Sequence, residues 1–215
     1  METEKYGVQR KRLPAQGRQV IGYRQKDTIT VYQAFNPAIV SYAVAQQQFG
    51  GAQYSFNRMS WIKPGFLWMM HRAGWATKEN QQRIVAVSLP VVRFKEILQQ
   101  ATISAYDARF FAHQAAWKAE LAATGARLQW DPDHDPLGNK QARKAIQLGM
   151  KGSLLKQFCT EWIVKIEDIT GFVQQQYTKL QRGAVDDLDL PYEEIIDLQD
   201  EALEKKIGIE KPLNT

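Results

Sequence analysis

Cysteine is almost missing from this chain of 215 residues: Cys159 stands alone, so no internal disulfide can form, and neither an oxidising compartment nor a cysteine-ligated metal is indicated. Long apolar runs are missing as well. No stretch approaches the roughly 20 apolar residues that cross a bilayer, and the opening METEKYGVQRKRLPAQGR carries charge with no apolar run behind it. Neither secretion nor membrane insertion is expected, and the cytoplasm is the natural compartment. Also absent are the short motifs that name common reactions: the G-x-x-x-x-G-K phosphate loop, G-x-G-x-x-G, H-E-x-x-H and G-x-S-x-G. No repeat or low-complexity tract is present.

What the chain does have is apolar residue and positive charge. Hydrophobic residues make up 44% and charged ones 24%, enough for a sizeable core, and the length suits one domain. Residues 1 to 182 hold 25 Lys and Arg against 13 Asp and Glu, a net of +12, whereas residues 183 to 215 hold 3 against 10, a net of −7. A basic body favours polyanionic partners, nucleic acid or phosphate-bearing small molecules. The expected organisation is a flexible basic arm at 1–17, a single domain at 18–182 and an acidic, solvated tail at 183–215.

Within the body, Val20 to Tyr23 and residues 28 to 34 (TITVYQA) read as strands of a hairpin turning at Lys26 and Asp27. Asn36-Pro37 reads as a capped helix start running to Phe49 and stopped by Gly50-Gly51. A strand to Lys63 and a helix opening at Pro64 and closing at Gly74 follow. Then come a strand at 83–89, a helix after Pro90, a helix near 113–122 and a strand at 127–130. The loop DPDHDPLGN has prolines and aspartates that forbid regular structure. A strand at 145–150, a helix at 153–158, a strand at 162–166 and a helix from Thr170 to Arg182 complete the domain. The mixture predicts an α+β fold around one core.

Chemistry concentrates between Arg58 and Arg83. Arg58, Lys63, Arg72, Lys78 and Arg83 are opposed by Glu79 alone, with Trp61, Trp68 and Trp75 interleaved. Guanidinium groups hold phosphates by paired hydrogen bonds and an indole face stacks on a base, the combination a nucleotide requires. The helix after Pro64, with Lys63 directly before its free amides, is a candidate anion site. The loop WDPDHD places Asp131 and His134 among three carboxylates, groups suited to proton transfer. A metal is not expected there, because its donors would have to be completed from elsewhere. His71 and His113 lie in helical stretches that suit surface or packing roles, and Cys159 reads as a buried small hydrophobe.

The runs DTITVYQAFNPAI, RMSWIKPGFLWMMHRAGWATK, LQWDPDHDP, RKAIQLGMKG and EWIVKIEDIT resemble the signature blocks of the DUF4291 family, over roughly residues 18 to 182. Side chains in those blocks with chemical potential are Arg24, Asp27, Tyr32, Gln33, Arg58, Trp61, Lys63, Arg72, Trp75, Lys78, Asp131 and Gln147. The element order is also similar to the opening of the ADP-ribosyltransferase fold, which splits NAD in a cleft between two small sheets. That resemblance implies NAD as cofactor, with Arg24 or Arg58, Tyr32 or Trp61, and Gln147 or Glu161 as working groups. The expected function is a nucleotide- or nucleic-acid-processing enzyme with a basic, Trp-lined cleft. Arg24, Arg58, Lys63 and Arg72 would hold phosphate, Trp61 or Trp75 would stack, Asp131 or His134 would handle protons, and Gln147 is a further catalytic candidate. The alternative is a non-catalytic nucleic-acid-binding module, and a third reading makes the acidic tail a mobile lid over the basic cleft.

Overall fold

The computed structural model describes residues 1–210. In chain order the elements begin with β1 (Thr3–Lys5), α1 (Tyr6–Arg12), β2 (Gly17–Arg18), β3 (Ile21–Gln25), β4 (Thr28–Phe35), α2 (Pro37–Gln46), β5 (Ser60–Ile62) and α3 (Phe66–Ala73). They continue with β6 (Arg83–Pro90), α4 (Val91–Gln100), β7 (Ala101–Ile103), α5 (Gln114–Ala123), β8 (Ala126–His134), β9 (Lys140–Met150) and α6 (Gly152–Gln157). After a π-helical turn at Phe158–Trp162 come β10 (Lys165–Asp168), α7 (Thr170–Gln181), β11 (Asp189–Pro191), β12 (Glu194–Ile195) and α8 (Glu201–Ile207). The fold is α+β, as expected. One five-stranded sheet runs β10-β6-β4-β3-β12; a second runs β2-β9-β8-β7 with β5 paired to β9; β1 and β11 pair separately. None of the described helices is long and apolar enough to cross a membrane.

Side chains alternate across a strand, so β4 and β6 at the centre of the first sheet need apolar residues on both faces. They have them. Ile29 and Val31 of β4 with Val85, Val87 and Leu89 of β6 enter one buried cluster, together with Ile62, Leu128, Ile146 and Leu148. Tyr32 with Ile84 and Ala86 enters a second cluster, closed by Phe66, Met69 and Met70 of α3 and Val173 of α7. The β3–β4 hairpin pairs Gln25 with Thr28, and Lys26 takes φ 54° in its two-residue turn. Asn36 caps α2 through its side chain, accepting from the Ile39 amide, with Pro37 in the first turn.

Three segments differ from expectation. The N-terminal residues form β1 and α1 instead of a flexible arm, because Tyr6, Gln9 and Leu13 share one helical face that is buried, and the Gln9 amide donates to the Pro191 carbonyl at 2.6 Å. The acid-rich segment from 183 to 210 is built into the fold: its acids alternate with Leu188, Leu190, Ile196, Leu198, Leu203 and Ile207, each at most 4% exposed. The part of the expected tail at 211–215 lies outside the described residues. The third segment is WDPDHD, which continues β8 to His134. A bulge between Pro132 and His134 absorbs the proline's missing N–H, and the turn follows at Asp135, whose carboxylate accepts from the Leu137 and Asn139 amides.

The anion site expected at the α3 start is filled from within. Gly65 offers no capping side chain, and the carboxyl of Glu193 accepts from the Phe66 amide at 2.6 Å. Burial raises the pKa of Glu193 from 4.5 to about 8, outweighing the bond to Phe66 and the nearby Arg143 and Arg12. Between those values the folded protein keeps a proton that the unfolded chain has released, so stability is full below 4.5 and falls as pH rises through about 8. Glu193→Gln keeps the acceptor and removes the titration. Its Tm should lie at least about 2 °C above wild type on the alkaline side of this window, and the two should converge on the acid side. Parallel melting curves across the pH range would disprove this account.

Candidate functional site

The two five-stranded sheets are joined at residues 60–63. β5 pairs with β9 of the second sheet, Trp61 lying opposite Gly149, and directly after β5 Lys63 exchanges two backbone hydrogen bonds with Tyr32 of β4, at 2.7 and 3.2 Å. Gln33 reinforces the junction, its side-chain amide donating to Ser60 Oγ at 2.9 Å and to the Trp61 carbonyl at 3.1 Å. At this junction opens a cleft of about 760 Å³, a size that suits a nucleotide-sized ligand.

Six residues singled out in the sequence line that cleft: Gln33, Arg58, Trp61, Lys63, Arg72 and Gln147. Arg58 and Arg72 are exposed, whereas Lys63 is 4% exposed. Among the described residues none of the three cations is in an ion pair. Burial and, after it, the neighbouring Arg72 lower the Lys63 pKa to about 8 against the opposing pull of Asp131. Asp131 is held just behind the lining, accepting from Gln147 at 2.7 Å and from Gln129 at 3.0 Å, a cross-strand pair on β9 and β8. The Gln33 Oε1 atom is buried and has no partner.

Other expected residues sit elsewhere. Arg24 projects from β3 and donates to the Lys26 carbonyl. Tyr32 is fully buried with its ring edge-on to Phe66. Trp75 is buried, stacks on Tyr177 and donates to the Pro136 carbonyl. Lys78 closes the end of α3 by donating to the Arg72 and His71 carbonyls. Tyr32 faces the second cluster because it is one residue out of phase with the cleft-lining Gln33. His134 is buried in a stack with His71, ring centroids 3.5 Å apart, and with Trp68 at 5.1 Å. Burial lowers the pKa of both histidines, and for His71 the adjacent His134 adds to the effect. Glu161 lies exposed in the π-helical turn. No group of three or more metal-ligating side chains occurs among the described residues.

Sequence reasoning passed over two contributors. Three successive residues after α3, Gly74, Trp75 and Ala76, have φ of 56°, 55° and 67°, and Asn80 has 59°. Non-glycine residues in this left-handed region cost of order 1–3 kcal/mol each. The strained turn carries Asn80 and Gln81 to the cleft rim. A tryptophan in such a turn is not foreseeable from composition. The second contributor is Gly149, where a Cβ would come within 2.8 Å of the Trp61 ring and 2.7 Å of Met59 Sδ. Its lack of a side chain seats the indole, a signal present in the run AIQLGM as a glycine inside a strand.

Gly149→Ala should therefore destabilise the protein by about 1–3 kcal/mol through overpacking against the indole. In a Trp61→Ala background the same change should cost less, the remainder being the contact with Met59 Sδ, measured as a double-mutant cycle by thermal or denaturant unfolding. Additive costs would show that the ring is not seated on Gly149. The sequence profile of the family described as domain of unknown function (DUF4291) matches residues 19–196. No curated protein matches the chain.

Proposed function

Because the chain belongs to the DUF4291 family, which is described by no reaction, we propose from the geometry of its own cleft that it is an enzyme acting on a nucleotide or on nucleic acid. The convergence of Arg58, Lys63, Arg72 and Trp61 on one cavity at the sheet junction is the observation that carries this reading. Arg58 and Arg72 are free to take phosphate oxygens by paired hydrogen bonds. Lys63 adds a charge at the wall, where low exposure to water strengthens its pull on an anion. Trp61 offers a partly exposed indole to a base or nicotinamide ring. Asp131, braced by two glutamines, is the group placed to take a proton.

NAD-dependent ADP-ribosyl transfer is the finer form of the proposal. Its support is a cleft between two small sheets that takes residues from both: Gln33 from the first, Trp61 and Gln147 from the second. Of the residues that form of chemistry would employ, Arg58, Trp61 and Gln147 line the cavity. The carboxyl nearest to it is Asp131, bonded to Gln147, in place of a glutamate. A non-catalytic nucleic-acid-binding module is the second reading, favoured by the net charge of +12 over residues 1 to 182.

A thermal-shift screen against NAD, ATP and short RNA and DNA oligomers separates these forms. Stabilisation by a mononucleotide or by NAD that persists in salt, with slow turnover, supports the enzyme. Stabilisation by oligomers alone that collapses in salt supports the binding module. Replacing Arg58 and Arg72 together by Ala should weaken binding at least about tenfold, while Tm moves by no more than about 2 °C because both side chains are exposed. Affinity should also fall as pH rises through about 8, where Lys63 loses its proton. Affinity that ignores both changes would place the ligand elsewhere.

A further inference from the structure

We infer that the ε-amine of Lys63 is the nucleophile of the cleft and that it captures the open-chain aldehyde of a sugar phosphate as an imine. The inference rests on the reading of the cleft as a phosphate site and is independent of any ring stacked on Trp61. It begins from a cost. A buried lysine without an acceptor weakens a fold, because its charge loses hydration and gains no partner. Lys63 is 4% exposed and, among the described residues, no carboxylate or carbonyl receives its ammonium. Its backbone is nevertheless fixed on both sides by Tyr32. An amine held this way serves the cavity it faces.

That cavity has what the step requires. Arg58 and Arg72 hold the phosphate, leaving the sugar between them and the wall. Burial and the neighbouring Arg72 both disfavour the ammonium form, so a share of the amine is the free base near neutral pH. A phosphate on Arg72 cancels part of that repulsion, and burial, the larger cause, persists. The Nζ lone pair adds to the aldehyde carbon and a carbinolamine forms. One amine proton moves to the oxygen in that step; the hydroxyl then takes a proton from solvent, the C–O bond breaks and water leaves, and the remaining amine proton passes to Asp131 or solvent as C=N forms, which restores the proton taken up. One water is released and nothing is oxidised or reduced.

Two sources supply this chemistry: a free pentose phosphate, or the base-less sugar left in a strand when an N-glycosidic bond is broken. The test incubates the full chain near pH 8 with ribose 5-phosphate or with a single-stranded DNA oligomer bearing one abasic site. Sodium cyanoborohydride traps the imine, and intact mass with peptide mapping locates the adduct. One adduct per chain is expected, on Lys63, formed at least about tenfold faster than on any surface lysine because its free-base fraction is larger. A fast adduct with ribose 5-phosphate alone identifies a small substrate, and one with the oligomer alone identifies a nucleic-acid substrate. Lys63→Met should abolish the fast adduct while Tm holds or rises.

Label spread over exposed lysines with Lys63 no faster than the rest overturns the inference. Unreduced binding is followed in parallel by thermal shift. Stabilisation by ribose 5-phosphate and ATP without capture at Lys63 removes the amine's role and leaves the phosphate site standing; no stabilisation and no capture removes both.

Discussion

The hydrogen bond from the Phe66 amide to the carboxyl of Glu193 is the contact on which the site's geometry depends. α3 has no cap of its own at Gly65, and an acceptor 127 residues away in sequence supplies it. An acid at a helix start meets the positive end of the backbone dipoles, which favours it, while full burial opposes its charge. Beside it lies a second buried arrangement, Asp133 bonded to Arg143 at 2.5 Å. The bond to Phe66, three residues after Lys63, fixes the start of the helix from which Arg72 reaches the cleft.

Inside the cleft the order of effects is reversed. Three cations share one cavity and, among the described residues, none of them is in an ion pair, so the scaffold holds Lys63 against the repulsion of Arg72. The strain of the left-handed turn at residues 74–76 belongs to the same account. Stability given up at such places is common where a protein prepares to receive charge.

Much of the frame was legible from residue patterns. The β3–β4 hairpin, the Asn36 cap and the Arg83 to Pro90 strand follow from β-branched runs, a two-residue turn and a capping pair, all of them local signals. Of the cations and indoles crowded between Arg58 and Arg83, Arg58, Trp61, Lys63 and Arg72 line the cleft, whereas Trp68 and Trp75 do not. What the pattern did not carry was phase. Tyr32 and Gln33 are adjacent, yet one faces a core and the other the cleft, and that depends on what α3 covers. Acidic residues at 183–210 masked the apolar positions between them, and prolines in WDPDHD masked a strand that a bulge makes possible. In each case tertiary packing outweighed local composition.

The pairing of β12 with β3 and of β11 with β1 has a consequence for how the molecule is made. Until residues 188–198 leave the ribosome, β3 is an open sheet edge and the second core lacks Leu188 and Leu190. Synthesis therefore passes through a nascent chain with four of the five strands of the first sheet and an uncovered flank, the condition in which strands pair with the wrong neighbour. The acidity of this closing segment keeps it hydrated during that interval, and its charge, opposite to that of the waiting basic body, draws it to its place.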